Sequence, residues 1–136
     1  MIFDACSKKP VSSSEGPLEL TAAGKIQFEK KIQPIFTLHC IACHAPGANE
    51  DGSAMGGMIL ATGKAAANLV GVKSIESSLM RVAPGDPQKS YLYHKIRGTQ
   101  LTVGGVGAQM PLGLPPLTKE EIGSIESWIS SGASTK

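Results

Sequence analysis

The segment Cys40-Ile41-Ala42-Cys43-His44 constrains this chain more than any other feature, because its spacing is that of a covalent haem-attachment site. Two thiols three residues apart lie on the same side of a helical turn, where each can form a thioether with a haem vinyl group. His44 follows directly and can present its imidazole to the iron. The motif therefore predicts one haem c, bound covalently through Cys40 and Cys43, with His44 as an axial ligand.

The composition suits a small haem-binding domain and argues against a nucleic-acid-binding protein and against a membrane-spanning one. The chain has 136 residues, only 4% of them aromatic, together with 16 glycines and 9 prolines. Such a chain has little side-chain bulk for a core, and a buried porphyrin would supply the missing apolar mass. The formal net charge is +2 and no long basic run occurs, so no nucleic-acid-binding surface is expected. No segment reaches the roughly eighteen apolar residues of a membrane span.

The N-terminal region has the composition of a disordered segment. Residues 1–20 are rich in Ser, Lys and Pro without periodicity, so we predict a disordered tether there and one haem-binding domain at 21–136. Cys6 precedes a polar arm, as the acylated cysteine of a processed bacterial lipoprotein does, and is a candidate lipid anchor. The alternative is an unpaired thiol in a disordered tail. No apolar leader is visible, so we interpret the sequence as a mature form.

Helical patterns dominate the remainder and no strand pattern is present, so the predicted fold is mostly α, with short helices and long Gly/Pro-rich loops around the haem. Pro34 suits the first turn of a helix. On that helix Phe36, Cys40 and Cys43 share one face, which places Phe36 beside the haem edge. Further helices are predicted at 22–31, at 64–70 with Thr62 as N-cap, and at 88–97.

The helix at 88–97 carries two candidate haem contacts, Leu92 and Ile96, which lie four residues apart on one face. A long Gly- and Pro-rich loop at 98–117 follows, and such loops in small domains are usually functional. Three basic residues in or near this helix are candidates to pair with haem propionates, ordinary solvated charge being the alternative for each: Arg81, Lys95 and Arg97.

The terminal helix has the clearest signals. Thr118 and Glu121 form a capping box, and Gly132 is a stop signal. The helix has a buried apolar stripe with these members: Ile122, Ile125, Trp128 and Ile129.

Six side chains are candidates for the second axial position of the iron: Met55, Met58, Met80, Met110, His39 and His94. Met110 is preferred because Pro111 favours an extended, loop-like backbone before it. Gly104, Gly105 and Gly107 would allow this loop to lie close against the porphyrin. A thioether is a soft, neutral ligand that favours reduced iron and raises its potential.

The other candidates are weaker for separate reasons. His94 is the main rival, because a His/His site would lower the potential; its alternative is a solvent-facing helix residue. Met80 is expected to belong to the core. Met55 and Met58 are expected to lie too near the attachment helix to reach the opposite face, and His39 to point elsewhere.

With these residues in place, the chain resembles small bacterial class I-like monohaem cytochromes c, in particular the cytochrome-c-like domains of the planctomycete-type group. The resemblance spans residues 28–133 and lies in an ordered series of segments: Phe28, Ile32-Gln33-Pro34-Ile35-Phe36, Cys40-Ile41-Ala42-Cys43-His44, Ala83-Pro84-Gly85-Asp86-Pro87, Ser90-Tyr91-Leu92, Met110-Pro111-Leu112-Gly113, Leu117-Thr118-Lys119-Glu120-Glu121-Ile122, Trp128-Ile129 and Gly132-Ala133. It implies a cytochrome c fold with His44 and Met110 as axial ligands. It also implies that the terminal helix packs against the helix before Cys40.

The predicted function is the carriage of single electrons between redox partner proteins, without catalysis. The resemblance implies haem attachment outside the cytoplasm, so a periplasmic or other extracytoplasmic location is expected. The main alternative is a five-coordinate or displaceable-ligand haem that binds a gas or peroxide as a sensor or enzyme. A zinc site of Cys6, Cys40, Cys43 and His39 or His44 lacks a second paired ligand set, and a thioredoxin-like redox pair lacks a βαβ pattern.

Overall fold

Helices and loops make up the part of the chain that the computed structural model describes, residues 27–135, and no β-strand occurs within that range. This confirms the predicted mostly α class. The α-helices are α1 (Gln33–His39), α2 (Ala65–Leu69), α3 (Tyr91–Arg97) and α4 (Lys119–Ser130). A π-helical turn, Phe28–Ile32, leads directly into α1, and shorter 3-10 turns lie at Met55–Gly57, Pro87–Lys89 and Gln100–Val103. The tether predicted at 1–20 and the candidate anchor Cys6 lie outside the described residues.

The predicted helix boundaries hold at some ends and fail at others. Pro34 lies in the first turn of α1, as expected. The N-cap of α2 is Lys64, without a side-chain hydrogen bond, so Thr62 is not its cap. The helix predicted to begin at residue 88 begins at Tyr91, because the preceding residues form a separate 3-10 turn that the Asp86 side chain caps. Of the helix predicted at 22–31, residues 22–26 lie outside the described range, and the remainder is helical and falls mainly in the π-helical turn.

Helix α3 runs through the middle of the core, since every residue from Tyr91 to Ile96 is buried. On one side of the core the π-helical turn packs against α4, with the ring centroids of Phe28 and Trp128 5.1 Å apart. The resemblance implies that the terminal helix packs against the helix before Cys40; the packing in the structure is with the π-helical turn that precedes α1, and α1 itself meets α4 at the contact between His39 and Glu121. Among residues 27–135, no helix has the length and apolar character needed to cross a membrane.

The start of α4 is fixed by the capping box that the sequence predicts. The Thr118 hydroxyl accepts a hydrogen bond from the Glu121 amide at 3.1 Å, and the Glu121 carboxylate accepts one from the Thr118 amide at 2.9 Å. The same carboxylate lies 2.8 Å from Nε2 of His39, the last residue of α1. Glu121 therefore joins the first turn of α4 to the end of the helix that leads into the attachment motif.

The charge of Glu121 should make stability depend on pH in the acid range. Hydrogen bonding from the Thr118 backbone and then from His39, opposed in part by burial, lowers the pKa of Glu121 below its ordinary value of 4.5. The folded state thus favours the carboxylate, and its stabilisation is present above that ordinary pKa and is lost as the pH falls below it. Glu121→Gln keeps a capping side chain but removes the charge. We expect it to lower the free energy of unfolding at neutral pH by about 1 kcal/mol, the scale of a carboxylate at a helix N-terminus.

Thermal unfolding of wild type and Glu121→Gln, followed by circular dichroism, provides the test. The difference in Tm should shrink progressively as the pH falls below 4.5 and the carboxylate becomes protonated. Glu120→Gln is the matched control: Glu120 lies in the same helical turn but is exposed and outside the capping box, so its replacement measures the helix-dipole contribution alone and should have a smaller effect. A Tm difference that persists unchanged in acid would contradict the assigned role of the charge.

Candidate functional site

One cleft brings together five of the seven side chains that the sequence predicts at a haem. Cys40, His44, Leu92, Ile96 and Met110 all line it. The cleft is partly open to solvent, and the space between its walls, counted out to the open side, is about 690 Å³. Residues from α3 and from loops on either side of it therefore converge on one space.

The lining of the cleft is mainly apolar and includes a smaller set of polar side chains. The apolar side chains are Met58, Leu60, Leu69, Ile75, Leu92 and Ile96. The polar or charged side chains, besides His44, are Ser74, Glu76, Arg81, Tyr91 and Lys95. An apolar surface with a few placed polar groups is the usual character of a cofactor pocket.

The attachment motif forms a tight turn directly after α1. The Cys40 amide donates to the Phe36 carbonyl at 2.8 Å, and the His44 amide donates to the Cys40 carbonyl at 2.9 Å. Farther along, the Met55 amide donates to Cys43 and the Leu60 amide to His44. These bonds hold the segment after the motif against the motif itself, so the backbone that carries both thiols is fixed on two sides.

The two motif thiols have different surroundings. Both are free and half-buried, but only Cys40 lines the cleft. Burial, followed by the charges of Glu121 and Cys43, raises the pKa of Cys40 to about 11. Cys40 is therefore a neutral thiol at neutral pH, and its side chain packs against the apolar core beside the cleft. This position suits a thiol held against an apolar cofactor.

His44 is oriented by a backbone carbonyl, which is the common arrangement for a ligating histidine. Its Nδ1 lies 2.9 Å from the Met55 carbonyl oxygen. Because a carbonyl can only accept, Nδ1 carries the hydrogen, and Nε2 is the nitrogen available to iron. Burial lowers the pKa of His44, although the carbonyls of Met55 and Met58 oppose the shift. The neutral imidazole, which is the form that binds a metal, is favoured.

Met110 reaches the same cleft from the loop after α3. Its amide donates to the Lys95 carbonyl at 3.0 Å, and the neighbouring Gln109 side chain donates to the Ile96 carbonyl at 2.9 Å. The Met110–Pro111 peptide bond is cis. The loop is thus tied to α3 at the residue predicted to bind iron. Met110 and His44 line one space although they are 66 positions apart in the chain.

His94, the main rival ligand, is engaged elsewhere. It is buried, with 4% of its surface exposed, and does not line the cleft. Its Nε2 donates to the Gln88 carbonyl at 2.8 Å, and its Nδ1 lies 2.9 Å from the Thr99 hydroxyl. Both ring nitrogens therefore have partners. The expectation that His94 faces solvent is therefore wrong. Its position outside the cleft, with both ring nitrogens bonded, does not support a role as an iron ligand.

The other alternative ligands are placed as follows. Nε2 of His39 contacts Glu121, at the start of α4. Met80 is 40% exposed, so its assignment to the core is wrong. Met55 is equally exposed and contributes its carbonyl to His44. Met58 does line the cleft, on the segment that follows the attachment motif.

Two further predicted contacts lie outside the lining of the cleft, namely Cys43 and Phe36. Phe36 is 1% exposed and packs in the core, with its ring centroid 6.5 Å from that of Phe28. Of the basic candidates, Arg97 lies over the Tyr93 ring at 4.8 Å. Arg81 does line the cleft, and its guanidinium donates to the carbonyls of Asn68 and Gly56 at 2.8 and 3.3 Å.

Sequence reasoning missed Glu76 and Tyr91 in the lining of the cleft, and it named Lys95 only as a candidate partner of a haem propionate. Tyr91 lies four residues before Lys95, so helical periodicity could have placed both on one face. Glu76 gave no local signal, because Tyr91 and Lys95, to which it is bonded, lie 15 and 19 positions later in the chain.

The residues present fit a haem. The cleft has the apolar lining a porphyrin needs, an oriented imidazole, a thioether and one of the two motif thiols. Within residues 27–135, no group of three or more His, Cys, Asp or Glu side chains is arranged to hold a metal ion. Haem iron takes only its axial ligands from the protein, so it needs no such group.

Comparison of the chain with protein-family models, curated proteins and solved structures finds no match.

Proposed function

We propose that this protein is a monohaem c-type cytochrome with a cytochrome c fold, which carries single electrons between redox partner proteins and catalyses no reaction of its own. The observation that supports this most is the presence of Cys40, His44 and Met110 in the wall of one apolar cleft. Haem, when bound, supplies a one-electron ferric/ferrous couple. Since the motif is a haem-attachment signature, the proposal includes an extracytoplasmic location, with Cys6 as a candidate lipid anchor.

Each group in the cleft has a role in this proposal. Cys40 and Cys43 attach the cofactor covalently, so that it is retained through repeated oxidation and reduction. His44, oriented through Nδ1, is one axial ligand, and the Met110 thioether is the other. Two axial ligands leave little rearrangement between the two oxidation states. Leu60, Leu69 and Ile96 exclude water, which together with the thioether favours the ferrous form.

Absorption spectra of the purified protein test the proposal directly. We expect a red protein whose haem resists extraction by acidified acetone, because it is held by thioethers. The ferric form should show the weak far-red band of charge transfer between methionine sulfur and iron. The ferrous form should not bind carbon monoxide, because both axial positions are taken.

The competing function, a gas or peroxide sensor or enzyme, predicts the opposite spectra. It needs an open or displaceable axial position, so the far-red band would be absent and carbon monoxide would bind rapidly. A colourless protein that binds zinc through Cys40 and Cys43 would overturn both proposals.

A further inference from the structure

Three polar side chains form a connected cluster in one wall of the cleft: Glu76, Tyr91 and Lys95. The Glu76 carboxylate accepts hydrogen bonds from the Tyr91 hydroxyl and the Lys95 ammonium, both at 2.8 Å. Lys95 is buried, with 8% of its surface exposed, and its Nζ lies 5.6 Å from the centre of the Tyr91 ring. Burial opposes ionisation of Glu76, yet the bonds from Lys95 and Tyr91 lower its pKa. A buried lysine is costly unless it is paired in this way.

The cluster is hydrogen-bonded to the loop that leads to Met110. Lys95 Nζ donates to the Val106 carbonyl at 2.7 Å, and the Val106 amide donates to the Tyr91 hydroxyl at 3.2 Å. Both backbone groups of one loop residue are therefore held by cluster side chains. This loop carries the residue proposed to bind iron, but Val106 itself is half-exposed and has no such role.

Glycines in the loop allow the Tyr91 and Lys95 side chains to lie this close to the loop backbone. A Cβ on Gly105 would collide with the Tyr91 ring, and a Cβ on Gly107 would lie 3.1 Å from Lys95 Nζ. The sequence interpretation assigned these glycines to close contact with the porphyrin. The structure instead places them against the two side chains that hold the loop.

Three more hydrogen bonds continue the attachment towards Met110. The Gln100 side chain donates to the Gly107 carbonyl at 2.8 Å, and Gln109 and Met110 donate to carbonyls of α3. A long glycine-rich loop has high conformational entropy, and each fixed residue costs roughly 1–2 kcal/mol. An axial ligand on such a loop is presented to iron only when the loop is held.

We propose that Glu76, Tyr91 and Lys95 are positioning residues for Met110: they fasten residues 104–110 to α3 and so keep the thioether at its axial position. This inference rests on the proposed function, because the thioether has an axial role only in a haem protein. The fastening itself is a property of the protein chain and can be measured separately.

Tyr91→Phe and Lys95→Met remove the two groups that hold Val106 while keeping most of the side-chain volume. Matched controls make the same replacements away from the loop, at Tyr93, which lies under Arg97, and at the exposed Lys89. Amide hydrogen exchange within residues 104–110 should become roughly tenfold faster in Tyr91→Phe and Lys95→Met, as expected for a lost hydrogen bond. Tyr93→Phe and Lys89→Met should leave exchange in this loop at the wild-type rate.

Spectra of the same variants complete the test. Tyr91→Phe and Lys95→Met should weaken the far-red band and allow the ferrous protein to bind carbon monoxide, and Glu76→Gln, which retains an acceptor, should fall between them and wild type. Exchange rates and spectra equal to those of the controls would overturn the positioning role. If the wild-type protein lacks the far-red band, while Tyr91→Phe and Lys95→Met still show faster exchange in this loop, the proposed function is overturned and the fastening of the loop is not.

Discussion

Replacement of both Cys40 and Cys43 with alanine is expected to remove all covalently bound haem from the protein. The motif supplies two thiols for attachment, and the third cysteine of the chain, Cys6, lies 34 positions away. Haem that enters the cleft of the double variant is then held only by axial ligation and apolar contact. Acidified acetone, which leaves thioether-bound haem on the polypeptide, should extract all of it. Denaturing gels stained for haem peroxidase activity provide a second measurement.

Single replacements and a matched cysteine control sharpen this result. Cys40→Ala and Cys43→Ala should each retain one thioether, so their haem should resist extraction but show a shifted absorption maximum. Cys6→Ala should bind haem covalently as wild type does, with or without the lipid anchor. Loss of cofactor or of folding in Cys6→Ala would contradict the proposal and favour a metal site that includes this third thiol.

The parts of the fold that the sequence predicted well are those governed by local chemistry. The capping box of Thr118 and Glu121 involves residues three apart, and the structure contains both of its hydrogen bonds. Pro34 lies in the first turn of α1, where the sequence predicts it, although the π-helical turn Phe28–Ile32 leads directly into this helix. The apolar stripe of α4 places Ile125 and Ile129 fully in the core. Each of these signals needs only one turn of helix to be interpreted.

Residues whose surroundings come from distant segments were harder to place. Phe36 shares a helical face with the motif, yet its side chain belongs to the buried core, with its ring 6.5 Å from that of Phe28 in the π-helical turn. His94 lies on a helix buried on all sides, which periodicity in a short segment could not indicate. Its partners, Gln88 and Thr99, lie beyond the two ends of α3.

The residues of the cleft likewise divide into those that local sequence predicts and those that only distant contacts place. Spacing within α3 identified Leu92 and Ile96, and the proline after Met110 identified the ligand loop. What holds that loop depends on Glu76, in a segment with no regular secondary structure. The loop glycines allow Tyr91 and Lys95 to approach the loop backbone, and this role is visible only from the tertiary contacts.

Replacement of Met110 with alanine should change the iron site more than any other single substitution outside the attachment motif. It removes the thioether and leaves an open axial position facing the cleft. The ferric far-red band should disappear, and the ferrous protein should bind carbon monoxide. The reduction potential should fall by on the order of 100 mV, within the roughly 0.8 V range that axial ligands control. Redox titration followed by absorbance measures the last effect.

Two control variants separate ligation from packing. Met58→Ala removes a second methionine from the same cleft and should keep the far-red band, because its thioether has no axial role in this proposal. His94→Gln should also keep the spectrum, while losing about 1–3 kcal/mol of unfolding free energy through its disrupted buried hydrogen bonds. If Met110→Ala retained the wild-type spectrum, Met110 would not be the ligand. A spectral change in Met58→Ala instead would transfer the axial role to that residue, whose segment already lies against His44 through the Leu60 amide.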